Sequence, residues 1–190
     1  MSAVLGFLPG TECKECKGRC CKEHGCVLSP EDMISSIEKF LGYSISQEKN
    51  IDTITREVLL DFLIDDKYGM FAIDSASHNG GRLYYLRMQH KCHNFIGIDA
   101  MGECVALTDA GCSLAYENRP KGGRMLKSDP TLRCTQMYLP DEMASDWAPY
   151  QEILASIWKE YYQKFMEDGT FDKNDDAYFE YIKSKAQQGK

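Results

Sequence analysis

The spacing of hydrophobic residues along the chain predicts a helix that begins at Ser29. From there, apolar residues including Met33 and Ile37 recur at intervals of three or four, which is the pattern of one helix face. Ser29 is a good N-terminal cap, and Gly42 is a natural helix end. A second helix with a similar apolar face is predicted over residues 47–67.

The C-terminal third of the chain has the same helical spacing, richer in aromatic residues. A long helix is predicted over residues 141–168, and a shorter one over residues 175–186. The apolar face of the long helix comprises Met143, Trp147, Tyr150, Leu154, Ile157, Tyr161 and Phe165. We interpret these aromatic faces as core contacts.

Between the two helical regions the pattern predicts β-hairpins. The runs MFAID and RLYYLRM flank Asn79-Gly80-Gly81, which is a typical hairpin turn. A second, shorter hairpin is predicted from HNFIGID and ECVALT, which would place Cys92 beside Cys104. A single helical turn in SLAYENRP should end at Pro120, and KGGRMLKSDP is predicted to be a glycine-rich loop.

Composition and charge exclude several classes of function. The 190 residues include 43% hydrophobic residues, enough for a domain with a core. The net charge of −7 argues against nucleic acid as a partner, and we interpret the basic residues between Lys121 and Arg133 as solvated. No run approaches the roughly 20 apolar residues that cross a bilayer, and the N-terminus does not resemble a secretory signal. We therefore expect a cytoplasmic protein that binds neither nucleic acid nor membrane.

The nine cysteines change this picture most. Four of them, Cys13, Cys16, Cys20 and Cys21, lie in the run CKECKGRCC. In a reducing cytoplasm such a cluster indicates metal binding before disulfides or free thiols, and an odd number suits a disulfide scaffold poorly. The first 28 residues carry too little apolar material to fold alone, so metal ligation would replace the missing core there.

The predicted metal ligands are eight thiols: Cys13, Cys16, Cys20, Cys21, Cys92, Cys104, Cys112 and Cys134. If Cys20 and Cys21 lie in an extended segment, their side chains point to opposite faces, which favours two metal positions. Cys26 is then the spare thiol, whereas a single site would leave five cysteines as small buried residues. Thiolates suit zinc as well as iron, including a 4Fe-4S cluster, and the spacing does not choose between them. We interpret His24 and His93 as ordinary polar residues.

These motifs together resemble the YkgJ-like cysteine-cluster family of the CxxCxxCC type, described as a zinc- or iron-chelating domain. CKECKGRCC, LSPEDM, YYLRMQHKC and GECVALTDAGCSLAYENRP carry the resemblance, which runs from Cys13 to Cys134. The family commonly has a cysteine shortly after the Arg-Pro pair. Gly123 stands there in this chain, and Cys134 is the candidate replacement.

The resemblance implies a chelating protein whose metal centre is structural or serves metal handling. The alternative is an iron–sulfur enzyme or electron carrier that modifies a protein or peptide partner, since some longer relatives are described as flagellin lysine N-methylases. The chain has no glycine-rich methyl-donor motif, and whether it is an enzyme stays open.

All these elements together predict a predominantly helical α+β fold. Its core would be cysteine-rich and metal-centred, with short β-hairpins and a helical C-terminal third. Residues 1–140 would form the metal-binding domain, and residues 141–190 a helical extension that packs on the same core.

Overall fold

The computed structural model describes residues 17–41, 56–64, 70–89, 103–127 and 134–167. Their helices are α1 (Arg19–His24), α2 (Pro30–Leu41), α3 (Arg56–Ile64), α4 (Lys121–Arg124), α5 (Pro140–Trp147) and α6 (Gln151–Glu167). Their strands are β1 (Cys26–Val27), β2 (Phe71–His78), β3 (Gly81–Met88), β4 (Leu107–Thr108), β5 (Gly111–Cys112), β6 (Leu126–Lys127) and β7 (Thr135–Gln136). Single 3-10 turns occupy Tyr116–Asn118 and Ala148–Tyr150.

An antiparallel sheet in the order β1-β3-β2 forms the centre of the described structure. Strands β2 and β3 pair along their whole length, from Phe71 opposite Met88 to His78 opposite Gly81. The turn between them has positive φ at Asn79 and Gly80, the backbone that a two-residue hairpin turn requires. The predicted first hairpin is therefore confirmed.

The core formed by the described residues is aliphatic and aromatic. Its buried members come from the sheet and from the helices that cover it: Val27, Leu28, Met33, Ile37, Leu59, Phe62, Leu63, Phe71, Ile73, Leu83, Leu86, Met143, Trp147, Leu154 and Ile157. Among the cysteines whose side chains are described, Cys104 alone is buried, and Cys21, Cys26 and Cys112 pack against the core from its margin.

The prediction of a predominantly helical fold with a cysteine-rich, metal-centred core is therefore wrong. The described part is a mixed α+β structure, and strands β2 and β3 are longer than the short hairpins that were expected. The reason is that β2 and β3 each supply several apolar side chains, and these bury more area against the helix faces than a few thiols could.

The predicted helix over residues 141–168 is interrupted. Helix α5 ends at Trp147, a 3-10 turn follows, and α6 begins at Gln151. Pro149 explains the interruption, because it lacks a main-chain N–H and its ring clashes with the preceding helical turn. The apolar face is nevertheless confirmed for the members whose side chains are described, which are buried: Met143, Trp147, Tyr150, Leu154 and Ile157.

The remaining predicted elements are confirmed in part. The helix that begins at Ser29 is confirmed as α2, and α3 lies within the helix predicted over residues 47–67. The start of the predicted glycine-rich loop is instead α4 followed by β6. The first arm of the second hairpin and the helix over residues 175–186 lie outside the described residues. Within the described ranges, none of the helices combines the length and apolarity needed to cross a membrane.

The side chain of Gln151 attaches α6 to the open part of the sheet edge. Strand β1 pairs with Arg87 and Met88 of β3, so among the described residues the main chain of Tyr84 has no neighbouring strand on that side. The Gln151 amide nitrogen donates to the Tyr84 carbonyl at 2.8 Å, and its oxygen accepts from the Tyr84 N–H at 3.0 Å. One side chain thereby takes the place of a strand.

We predict that Gln151→Ala lowers the free energy of unfolding by about 2 kcal/mol, because it removes the side chain that pairs with both the main-chain N–H and the carbonyl of half-buried Tyr84. Urea unfolding followed by circular dichroism measures the change. Glu152→Ala, at the exposed next position, should stay within about 0.5 kcal/mol of the unmodified protein. Equal effects of the two substitutions would contradict the role given to Gln151.

Candidate metal centre

The structure describes part of the predicted ligand set. Side chains are described for Cys21, Cys104, Cys112 and Cys134. The backbone of Cys20 lies in α1, but its side chain is outside the description. Cys13, Cys16 and Cys92 fall outside the described residues.

The adjacent pair Cys20 and Cys21 lies in a helix rather than an extended segment. Successive residues of a helix point about 100° apart around its axis, instead of to opposite sides. The geometric argument that favoured two metal positions therefore starts from a wrong premise. The number of positions stays a prediction.

A main-chain hydrogen bond joins α1 to the segment that carries the later cysteines. The N–H of Cys104 donates to the carbonyl of Cys21 at 2.7 Å. The carbonyl of Cys104 in turn accepts from the N–H of Leu107 at 2.9 Å, and Leu107 pairs with Cys112 across β4 and β5. Three of the predicted ligands are thus held in one hydrogen-bonded arrangement.

Cys26, predicted to be the spare thiol, lies in the same region. It stands in β1 and is partly buried. Burial raises the pKa of its thiol well above the ordinary value, and the neighbouring groups of Cys104, Asp32 and Cys112 raise it further, while Arg87 opposes them. Cys26 therefore has two of the predicted ligands as electrostatic neighbours.

Two adjacent glycines let α4 approach β1 closely. A Cβ atom at Gly122 would lie 2.6 Å from the carbonyl oxygen of Val27, which is closer than real Cβ contacts. A Cβ atom at Gly123 would lie 3.0 Å from the sulfur of Cys26. The thiol of Cys26 thus packs closely against α4 at Gly123, where a side chain would crowd the sulfur.

The carboxylate of Asp32 fixes this approach. Its Oδ2 accepts from the Ser29 N–H at 2.9 Å and from the Ser29 hydroxyl at 3.0 Å, while the Asp32 N–H donates to Ser29 Oγ at 3.3 Å. This reciprocal pairing caps the start of α2. The same Oδ2 accepts from the Lys121 N–H at 2.6 Å, so the caps of α2 and α4 share one carboxylate. The Arg124 guanidinium lies 3.5 Å from its Oδ1.

Lys121 continues the attachment from α4 to α5. Its ammonium lies 2.7 Å from carboxylate oxygens of both Glu142 and Asp146, and 4.5 Å from the centre of the Tyr138 ring. The Tyr138 hydroxyl also donates to Asp146 at 2.7 Å. Although partial burial would raise the pKa of Asp146, these two hydrogen bonds lower it below its ordinary value. The interpretation of the basic residues as solvated is therefore wrong for Lys121.

A second charged network holds α1 from the sheet side. Arg87 Nη1 donates to the carbonyl of His24, the last residue of α1, at 3.0 Å. Its Nε donates to Asp74 Oδ2 at 2.5 Å, and the Tyr85 hydroxyl donates to the same oxygen at 2.7 Å. Burial is the main reason that the pKa of Tyr85 is raised to about 12. The helix that carries Cys20 and Cys21 is thus joined to a largely buried ion pair.

The donor chemistry of these residues fits a soft metal ion, although the described thiols do not by themselves form a closed site. Within the part of the chain that the structure describes, no group of three or more His, Cys, Asp or Glu side chains is arranged to hold a metal ion. Cys134 stands immediately before β7, whose partner is β6.

Comparisons with known proteins returned nothing: no family model, no curated protein and no solved structure matches the chain. The resemblance to the YkgJ-like family therefore stays a prediction from the motifs quoted above.

Sequence reasoning gave no structural role to two residues of this region, Cys26 and Asp32. A signal for Cys26 existed in the Gly122-Gly123 pair, since adjacent glycines often mark a close approach of two segments. Asp32 lies in the first turn of the helix predicted to begin at Ser29, but its contact with Lys121 spans 89 residues of sequence and leaves no local pattern.

We predict that Asp32→Ala lowers the free energy of unfolding by about 3 kcal/mol, because the carboxylate accepts from two main-chain N–H groups and a hydroxyl. Asp32→Asn keeps one acceptor oxygen and should lose less. Ser35→Ala, at an exposed position of the same helix, is the control in urea unfolding. A loss from Asp32→Ala no larger than that of the control would contradict the shared-cap assignment.

We also predict a pH dependence that arises from Asp146. Because its pKa is lower in the folded protein than the ordinary 3.8, its ionised form contributes stability above about pH 4, and this contribution disappears as the pH falls through the folded pKa. Asp146→Asn should therefore be less stable than the unmodified protein at pH 7, with a gap that shrinks below pH 4. Urea unfolding at several pH values measures this gap.

Asp109→Asn is the matched control for the pH series, because it removes the same charge at an exposed turn between β4 and β5. Its stability difference at pH 7 should be small. A gap for Asp146→Asn that stays constant down to pH 3 would overturn the ion-pair explanation.

Proposed function

We propose that this protein chelates zinc or iron through its cysteine cluster, with a metal centre that is structural or serves metal handling. The observation that supports the proposal best is the arrangement of Cys104 and Cys112 beside α1. The Cys104–Cys21 hydrogen bond and the β4–β5 pairing place thiols from widely separated parts of the sequence in one region. Thiolates are preferred ligands of both metals.

The remaining ligands in the proposal are Cys13, Cys16, Cys20, Cys92 and Cys134. The backbone of Cys20 lies in the same short helix as Cys21, so α1 brings this part of CKECKGRCC next to Cys104. A bound metal ion would cross-link the cysteine-rich segment to the β4–β5 segment and stabilise the thiolate forms. The proposed setting is the cytoplasm, where thiols stay reduced.

We predict that protein purified without oxygen retains stoichiometric zinc or iron, measured by plasma mass spectrometry. Cys104→Ser and Cys112→Ser should each lower the metal content, because each removes a proposed ligand. Ser113→Ala, at the exposed position beside Cys112, should retain the metal. A brown protein with visible absorbance would favour an iron–sulfur centre, and colourless protein that holds zinc would favour a plain zinc site.

Thermal unfolding gives an independent measurement of the same proposal. Removal of the metal with an added chelator should lower the melting temperature of the unmodified protein, since a ligand that binds the folded state stabilises it by mass action. The shift should be smaller in Cys104→Ser, which is expected to hold less metal. Fully reduced protein that holds no metal above background, with no shift on addition of zinc or iron, would contradict the proposed function.

A further inference from the structure

The turn between β2 and β3 carries a reactive dipeptide that the proposed metal centre does not use. Asn79 and Gly80 are its central residues, and both are exposed. Asparagine is a chemically labile residue, most of all before glycine, because the main-chain nitrogen of the next residue attacks its side-chain carbonyl carbon. The turn therefore combines the residue types and the access to water that this reaction requires.

The structure leaves the attacking nitrogen of Gly80 unhindered. A Cβ atom built on Gly80 would meet nothing within 4 Å, so the turn projects into open space at this point. Asn79, with a φ of 47°, and Gly80, with a φ of 77°, both have the left-handed backbone of a two-residue turn. A side chain at position 80 would oppose this backbone and would crowd the attack, whereas glycine does neither.

The attack requires the main chain of Asn79 to rotate, and the tip of the hairpin is the place where rotation costs least. His78 opposite Gly81 is the last paired position before the turn, and Gly81 is exposed. Backbone hydrogen bonds at an exposed strand end open with small free energies. The opposite end of the hairpin, with Phe71 and Met88, is buried in the core.

The imidazole of His78 contacts the nitrogen that has to leave. Its Nε2 lies 3.4 Å from Asn79 Nδ2 and 2.8 Å from Oδ1 of Asp141, which is in the first turn of α5. The side chain of His78 is largely buried, so the ring is held between α5 and the turn. An amide nitrogen leaves as ammonia after it gains a proton, and a ring nitrogen at this position is placed to give one.

We propose that Asn79 is a site of spontaneous deamidation in the folded protein, assisted by His78. The Gly80 nitrogen bonds to the side-chain carbonyl carbon of Asn79, the bond from that carbon to Nδ2 breaks, and ammonia leaves as a cyclic imide forms. The Gly80 nitrogen gives its proton to water, and the departing nitrogen receives one through His78. Water then opens the imide to aspartate or isoaspartate.

Each product changes the hairpin in a different way. Isoaspartate routes the main chain through the former side chain and lengthens a two-residue turn, which sets the register of β2 against β3. Aspartate keeps the main chain but places a carboxylate beside His78, which already contacts Asp141. We therefore expect the isoaspartate form to unfold at a lower urea concentration than the unmodified protein.

The site is tested on the unmodified full chain, incubated in neutral buffer made with water enriched in heavy oxygen. Peptide mass spectrometry should show the exchange of amide for acid at Asn79, with one heavy oxygen taken from water. Asn118 is the internal control, because it is also exposed but precedes Arg119 instead of glycine. Conversion at Asn79 that is no faster than at Asn118 would overturn the proposed site.

His78→Gln tests the part given to the imidazole. We expect conversion at Asn79 to be about 10-fold slower than in the unmodified protein, less than the roughly 100-fold or more that positioned acids contribute in enzymes, because this site is exposed. Since the contact depends on the fold, the two proteins should react at equal rates when unfolded in urea. Equal rates in the folded proteins, or the same difference in urea, would overturn the role of His78.

Discussion

The carboxylate of Asp32 joins segments that are far apart in the sequence, and the arrangement around the thiols depends on it. One of its oxygens accepts from Ser29 at the start of α2 and from the main chain of Lys121 at the start of α4. A carboxylate suits both places because each helix start exposes unpaired N–H groups and a positive dipole end. The four residues of α4 are too few to be stable alone, so this shared cap sets where α4 lies.

The position of α4 in turn sets the space around Cys26. Gly122 contacts β1 on one side of α4, and Lys121 reaches Asp146 on α5 on the other. Arg87 holds the end of α1 through the carbonyl of His24. Two charged networks, one around Asp32 and one around Arg87, thus contact the segments that carry Cys21 and Cys26.

The parts of this structure that were predictable are those with local causes. The hairpin follows from the turn residues Asn79 and Gly80, whose positive φ values few other residue types tolerate. The start of α2 follows from the cap at Ser29. The break at Pro149 also has a local cause, and the prediction of one continuous helix gave the apolar spacing precedence over the proline.

What could not be predicted has non-local causes. The two residues of β1 carry no strand pattern, and they form a strand because β3 offers an unpaired edge at Arg87 and Met88. Likewise, Cys26 was predicted to be spare because the sequence gives only the order of the thiols along the chain. Cys104 and Cys112, whose charges raise the pKa of its thiol, come from segments about 80 residues away, so no local pattern links them to Cys26.

The cysteine-rich segment is also tied to the hydrophobic core, which changes how metal and fold depend on each other. Val27 and Leu28 are almost fully buried, so the segment that follows the cysteine run is held by apolar burial as well as by any ligation. Trp147 on α5 adds a hydrogen bond from its indole nitrogen to the Leu28 carbonyl at 3.1 Å. Ligation is therefore not a substitute for a core at this end of the segment.

Under the proposed function, metal affinity and scaffold stability would therefore be linked. A ligand that binds the folded arrangement stabilises it, and by the same equilibrium any change that loosens the arrangement weakens binding. Because α5 and β3 both hold the strand that carries Cys26, substitutions there act on the thiols without touching them. The proposed centre thus depends on packing from the C-terminal helices as much as on the spacing of its cysteines.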